Sequence, residues 1–138
     1  MKKVFLLTAF LSVGYFAMSQ CEKYITWTAS KGEMIDENGN VIDTKVGKIV
    51  IESSRTNFSL KFDDNDMEGL RGNVKEMTCE WKSPYKFGKT SFKSSLSGGN
   101  ETKDGEVTIE GKDDKITILI DMKQRKFRFV VDSYKENQ

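Results

Sequence analysis

"KITILIDMKQRKFRFV", residues 115–130, carries the pattern on which the fold turns. Ile116, Ile118 and Ile120 are set against Thr117 and Asp121. Successive side chains of a strand point to opposite faces, so an apolar period of two reads as a half-buried strand, not a helix. "MKQR", 122–125, is a short connection, and short connections join antiparallel neighbours. The run 125–133 is then the partner strand. Phe58, Leu60 and Phe62 against Ser59 and Lys61 repeat the alternation.

Working outward, the same reading predicts strands near 23–29, 46–53, 56–63, 73–82, 87–96, 105–111, 115–122 and 125–133. "ENGN" at 37–40 and "KDD" at 112–114 read as tight turns. "SGGNETKDG", 97–105, is the longest irregular stretch and reads as a glycine-rich surface loop. An antiparallel meander of about eight strands must hide its edges by closing on itself or by stacking two sheets. The expectation is an all-β fold, a small lipocalin-like up-and-down barrel, with a two-sheet β-sandwich as the alternative. The lipocalin Gly-x-Trp signature is missing, so kinship to that family is not claimed.

The N-terminal residues decide how much of the chain folds. Lys2 and Lys3 precede an uncharged run from Val4 to Met18, and Ala17 and Ser19 place small residues at the −3 and −1 positions. Residues 1–19 therefore read as a secretory signal peptide, with 20–138 as a single all-β domain. The apolar run is too short to cross a bilayer as a helix, and no later segment is apolar enough to do so. Removing 1–19 takes away two lysines and no acid, leaving 20 basic against 21 acidic residues. A nearly neutral chain gives no electrostatic reason to expect a nucleic-acid partner.

The two cysteines, Cys21 and Cys79, agree with export, because an even pair in an oxidising compartment reads as one disulfide. Each shares strand parity with apolar neighbours, Cys21 with Ile25 and Trp27, Cys79 with Met77 and Trp81. That points both toward the core. A competing reading makes Cys21 a lipidation site and the protein an outer-membrane lipoprotein, although Gln20 stands where a lipobox places a small residue. A thioether and a disulfide at Cys21 exclude each other.

The sequence contains no histidine. This removes Ser-His-Asp and Cys-His nucleophile activation and histidine-ligated metals. No pair of carboxylates stands out from the many at turns, so no catalytic residue is assigned. "DDNDMEG", 63–69, begins like a calcium loop, but the EF-hand's twelfth position holds Lys75 and the flanks read as strands, so that motif is rejected. Asp63, Asp64, Asp66 and Glu68 remain a candidate calcium site, against a hydrated acidic inter-strand loop. "WKSPYKFGKTSFKSS", 81–95, interleaves Trp81, Tyr85, Phe87 and Phe92 with Lys82, Lys86, Lys89 and Lys93 and has no acid. Lys82, Tyr85, Lys86, Lys89 and Lys93 form a candidate interaction face, against solvated lysines over core aromatics. Lys123, Arg125, Lys126 and Arg128 cluster about the last predicted hairpin.

The Lys-Lys signal ending in a small residue and Gln, the "ITW" strand, "GKIVIE", the central cysteine and the terminal "FRFVVDSY" strand resemble small exported all-β proteins of unknown function of the Bacteroidota type. That resemblance implies location and fold without a mechanism. The leading functional expectation is a non-catalytic periplasmic or secreted binding protein, an inhibitor or immunity-type protein meeting its partner through a charged loop or sheet face. The alternatives are a small apolar-ligand carrier with a barrel cavity and a carboxylate-based hydrolase. An open, under-filled interior favours the carrier, and a filled one favours surface recognition.

Overall fold

The computed structural model describes residues 21–63, 65–123 and 125–137, at 65–68 by the backbone alone. The signal peptide expected at 1–19 lies outside the described residues. Ten strands follow in chain order: β1 (Tyr24–Ile35), β2 (Val41–Ser53), β3 (Asn57–Phe62), β4 (Asn65–Asn73), β5 (Lys75–Ser83), β6 (Phe87–Gly98), β7 (Glu101–Lys112), β8 (Lys115–Asp121), β9 (Lys126–Val130) and β10 (Ser133–Asn137). Among the described residues no helix is long and apolar enough to cross a membrane.

The strand order β1-β2-β3-β4-β6-β7-β8-β9 is antiparallel throughout and closes when β9 pairs with β1, Gly32 opposite Phe129 and Ile35 opposite Lys126. The all-β fold is thus an eight-stranded up-and-down barrel. Closure gives every strand of this circuit a neighbour on each side, the outcome expected for strands with one apolar face. β5 and β10 are additional. β5 lines the first half of β6, while β10 continues the direction of β9 along the first half of β1.

The alternation that predicts the strands also fills the barrel. On β8, Ile116, Ile118 and Ile120 are buried with half-buried Thr117 and Leu119 between them. They meet Ile49 and Ile51 of β2, Phe58 and Leu60 of β3, Phe92 and Leu96 of β6 and Val107 and Ile109 of β7 in one core. "KDD" and "ENGN" are turns as expected. Asp113 and Asp114 both take positive φ, 53° and 62°, the conformation that matches the twist of a two-residue hairpin. In the other turn Asp36 Oδ1 accepts the amides of Asn38 and Asn40, both at 2.9 Å.

Several extents differ from expectation: β1 runs on to Ile35 and β2 begins at Val41, against the 23–29 and 46–53 expected, and the run expected as one strand at 125–133 is divided between β9 and β10. The stretch 97–105 is not a loop: β6 and β7 run on to pair Gly98 with Glu101, leaving only Gly99 and Asn100 in the turn. Its polar composition reflects a hairpin tip whose residues Glu101, Thr102, Lys103 and Asp104 are exposed, with the backbone ladder supplying the order. The chain from 65 to 72, read as part of an acidic inter-strand segment, belongs to β4, which pairs Leu70 with Leu60 and Asn73 with Asn57.

The barrel has two different ends. At the base, Cys21 and Cys79 form a disulfide that fastens the chain before β1 to β5. A disulfide is compatible with an oxidising location. Trp81 Nε1 donates to Thr90 Oγ1 at 2.6 Å, and Thr90 Oγ1 lies 3.2 Å from Cys21 Sγ. A disulfide sulfur carries no hydrogen, so the threonine accepts from the indole and donates to the sulfur. Tyr85, in the turn between β5 and β6, packs against Trp27, Trp81 and Tyr134 with ring centroids 4.7 to 6.1 Å apart. Edge-on and tilted contacts of this kind suit the ring quadrupoles.

Candidate functional site

At the opposite end, where β1 turns into β2, β3 into β4, β6 into β7 and β8 into β9, the interior is open. A cavity of about 330 Å³ enters the barrel there. Its inner wall is apolar: Leu60, Leu96 and Phe129 are buried, and Phe62, Leu70, Met122 and Phe127 are partly buried.

Residue size explains why this end is hollow and the base is not. The inward positions of the base carry Trp27 and Trp81. Near the mouth, Gly32 of β1 and Gly98 of β6 hold cavity-lining positions. A Cβ on Gly32 would stand 2.6 Å from Phe129 Cε1, and one on Gly98 would stand 2.7 Å from Leu70 Cδ2. The two glycines let Phe129 and Leu70 lie flat against the wall, which leaves the centre of the mouth free. An eight-stranded barrel has an interior on the border between filled and ligand-holding. Glycine at the mouth leaves this one partly unfilled.

Six charged residues line the opening: Glu33, Asp43, Lys45, Glu101, Lys103 and Arg125. Glu33 Oε2 accepts from Arg128 Nη2 at 3.4 Å. Asp43 Oδ1 accepts its neighbour's amide, Thr44 N, at 2.9 Å. Lys45 Nζ stands 4.2 Å from the centroid of the Phe62 ring, a cation over an aromatic face. Lys103 Nζ pairs with Glu101 Oε2 at 3.6 Å. Arg125 is in the β8–β9 turn, where its carbonyl accepts from Met122 N at 2.9 Å. An apolar cup with a charged lip holds an apolar or amphipathic molecule by burying its surface, while polar lip groups orient it.

The residues singled out from sequence are distributed over both ends. Asp63 is at the mouth, in the turn that follows β3. It has φ 49°, its Oδ1 accepts Lys48 N at 3.0 Å and its own amide donates to Lys48 O at 2.8 Å. Its carboxylate therefore fastens this turn to β2. Asp64 and the side chains of Asp66 and Glu68 lie outside the described residues. Among the described residues, no three acids or cysteines gather as a metal cluster.

Lys82, Tyr85, Lys86, Lys89 and Lys93 are all on the β5–β6 hairpin, on the side of the barrel that reaches the base. Lys89 faces Glu80 at 3.9 Å and Lys93 faces Glu76 at 3.1 Å. The acids that balance this basic segment come from the adjoining strand, as cross-strand pairing allows. The contact to Glu76 holds the Lys93 ammonium above its ordinary value. Tyr85 turns its ring into the base, and its hydroxyl donates to Glu136.

Of the last basic cluster, Arg128 bonds Glu33, Lys126 lies 3.8 Å from Asp121, and Arg125 reaches the lip. The apolar lining itself was not picked out from sequence. Its signal is an inward face that changes from tryptophan to glycine along the barrel axis, visible only once closure shows which ends come together.

No family model matches the chain. Neither does a curated protein or a solved structure.

Proposed function

We propose that this protein is an extracytoplasmic carrier that takes a small apolar or amphipathic molecule into the open mouth of its barrel. The observation that carries the reading is the apolar cavity of about 330 Å³ at one end of a barrel whose other end is closed. Cavities of this size and lining are the usual places for small-molecule ligands. Export into an oxidising compartment is part of the proposal, supported by the Cys21–Cys79 disulfide. Binding, with no chemistry on the ligand, is the role the lining supports: its deep residues are hydrocarbon, and its charged groups are confined to the lip.

The test is titration of the purified protein with 1-decanol, a neutral apolar probe, by calorimetry and by displacement of a fluorescent naphthylamine dye. The expected result is saturable one-to-one binding that weakens by about tenfold in Met122→Trp, which places an indole in the opening from outside the strands. Failure of the parent protein to bind either probe overturns the proposal.

A second reading, recognition of a protein partner, draws on a different observation. Ile42 and Val46 of β2 are 61% and 77% exposed. They lie where that strand extends past β3, whose pairing with β2 begins at Ile49. Apolar side chains on an unpaired strand edge suit addition of a further strand. Pull-down from the producing cells, repeated with Ile42→Lys and Val46→Lys, tests this reading. A partner retained by both variants counts against it.

A further inference from the structure

Of the six charged residues at the lip, five have a partner within the protein. Glu33 has Arg128, Asp43 has the Thr44 amide, Lys45 has the Phe62 ring, and Glu101 and Lys103 have each other. The guanidinium of Arg125 has no acceptor among the described residues. It stands beside an apolar wall that includes Met122 and Phe127. Water hydrates a guanidinium weakly, and its planar fork of N–H groups matches two oxygens of one carboxylate or phosphate. A hydrocarbon chain leaving the cavity brings its head group to this lip.

We infer that Arg125 is the head-group receptor of the cavity, and that the ligand is an anionic amphiphile: an apolar tail in the barrel ending in an oxyanion at the mouth. The inference rests on the carrier reading and deepens it by naming the ligand class. The turn that carries Arg125 also contains Lys123, whose amide donates to Asp121 Oδ1 at 3.0 Å. That bond fixes the path of the turn close to the arginine.

The acids at the lip do not oppose such a ligand as free charges would. The Glu33 and Glu101 carboxylates are offset by Arg128 and Lys103, and that of Asp43 by a backbone amide. Selectivity among ligands then comes from Arg125, whose guanidinium has no acceptor among the described residues, because burying a tail contributes equally whatever the head.

The experiment compares three probes with the same tail: decanoate, decyl phosphate and 1-decanol. The parent protein is expected to bind at least one of the two anions about tenfold or more tightly than the alcohol. In Arg125→Gln that anion-to-alcohol ratio is expected to fall to about one, and in Arg125→Lys to an intermediate value, since an ammonium supplies charge without the fork. The anion showing the larger loss is the head group the arginine takes. A ratio near one in the parent, or an anion preference that survives Arg125→Gln, overturns the inference while alcohol binding leaves the carrier reading standing. No binding of any of the three overturns both.

Discussion

The hydroxyl of Tyr85 donates to Glu136 Oε1 at 2.5 Å, joining the β5–β6 turn to β10, the last strand. Lys23 Nζ stands 3.4 Å from the same oxygen. The tyrosine bond, with a smaller contribution from Lys23, holds the Glu136 carboxyl below its ordinary value of 4.5, against a small opposing effect of burial. A carboxyl with a lowered folded-state value contributes stability above its unfolded value, and loses it as pH falls through the folded one. Melting of the parent should therefore fall more steeply below about pH 4.5 than melting of Glu136→Gln, by about 2 °C or less for so exposed a pair. Parallel pH profiles for the two proteins would show that this contact contributes nothing.

Thr90 mediates between Trp81 and Cys21. Replacing it with valine keeps the shape but leaves a buried indole N–H without an acceptor, which costs about 1 to 3 kcal/mol. Serine retains the hydroxyl and should cost less than valine. Urea denaturation of the two variants checks the order, and equal losses would mean that packing, not the hydrogen bond, matters at this position.

The disulfide spans 58 residues of sequence. In the chain-entropy account a loop of that length corresponds to about 4 kcal/mol of stabilisation through the unfolded state. Paired replacement, Cys21→Ser with Cys79→Ser, should lower the free energy of unfolding by that order, read as a fall in the urea midpoint. The slope of the transition should rise as well, because the uncrosslinked chain exposes more surface when unfolded. A midpoint unchanged from the parent would count against a stabilising role.

Ser94, on the inward face of β6, is 3% exposed, and its Oγ has no hydrogen-bond partner among the described residues. Alanine there removes a buried polar atom while leaving a small side chain. Ser94→Ala is therefore expected to be neutral or to stabilise by up to about 1 kcal/mol. A loss of more than about 1 kcal/mol in thermal or chemical melts would show that the hydroxyl bonds to water within the barrel.

Much of this architecture was legible from strand parity. Ile116, Ile118 and Ile120 announced β8, and the shared inward parity of Cys21 and Cys79 anticipated their disulfide. The turns at 37–40 and 112–114 were legible because Asn, Gly and Asp permit the backbone conformations such turns need, and that at 122–125 because a short polar stretch separates two alternating runs. The extension of β6 and β7 through 97–105 was not, because an exposed hairpin arm has no buried face to impose a period. The cavity was hidden for a different reason. Gly32 and Gly98 lie 66 residues apart in sequence, so their common place at one end of the barrel depends on the strand order, in which β1 and β6 run in the same direction. The acidic run at 63–68 looked like a metal motif in isolation. For its first member, the amide of Lys48, 15 residues earlier in the chain, supplies a structural use.

At the base, Tyr24 pairs with Asn137, so the two ends of the described chain lie side by side. Both emerge at the end remote from the cavity. A surface linker, a fluorescent fusion or a neighbouring module joined directly at these two ends therefore holds the protein like a cup by its foot. The opening, with the lip at Arg125, is then turned away from the point of attachment.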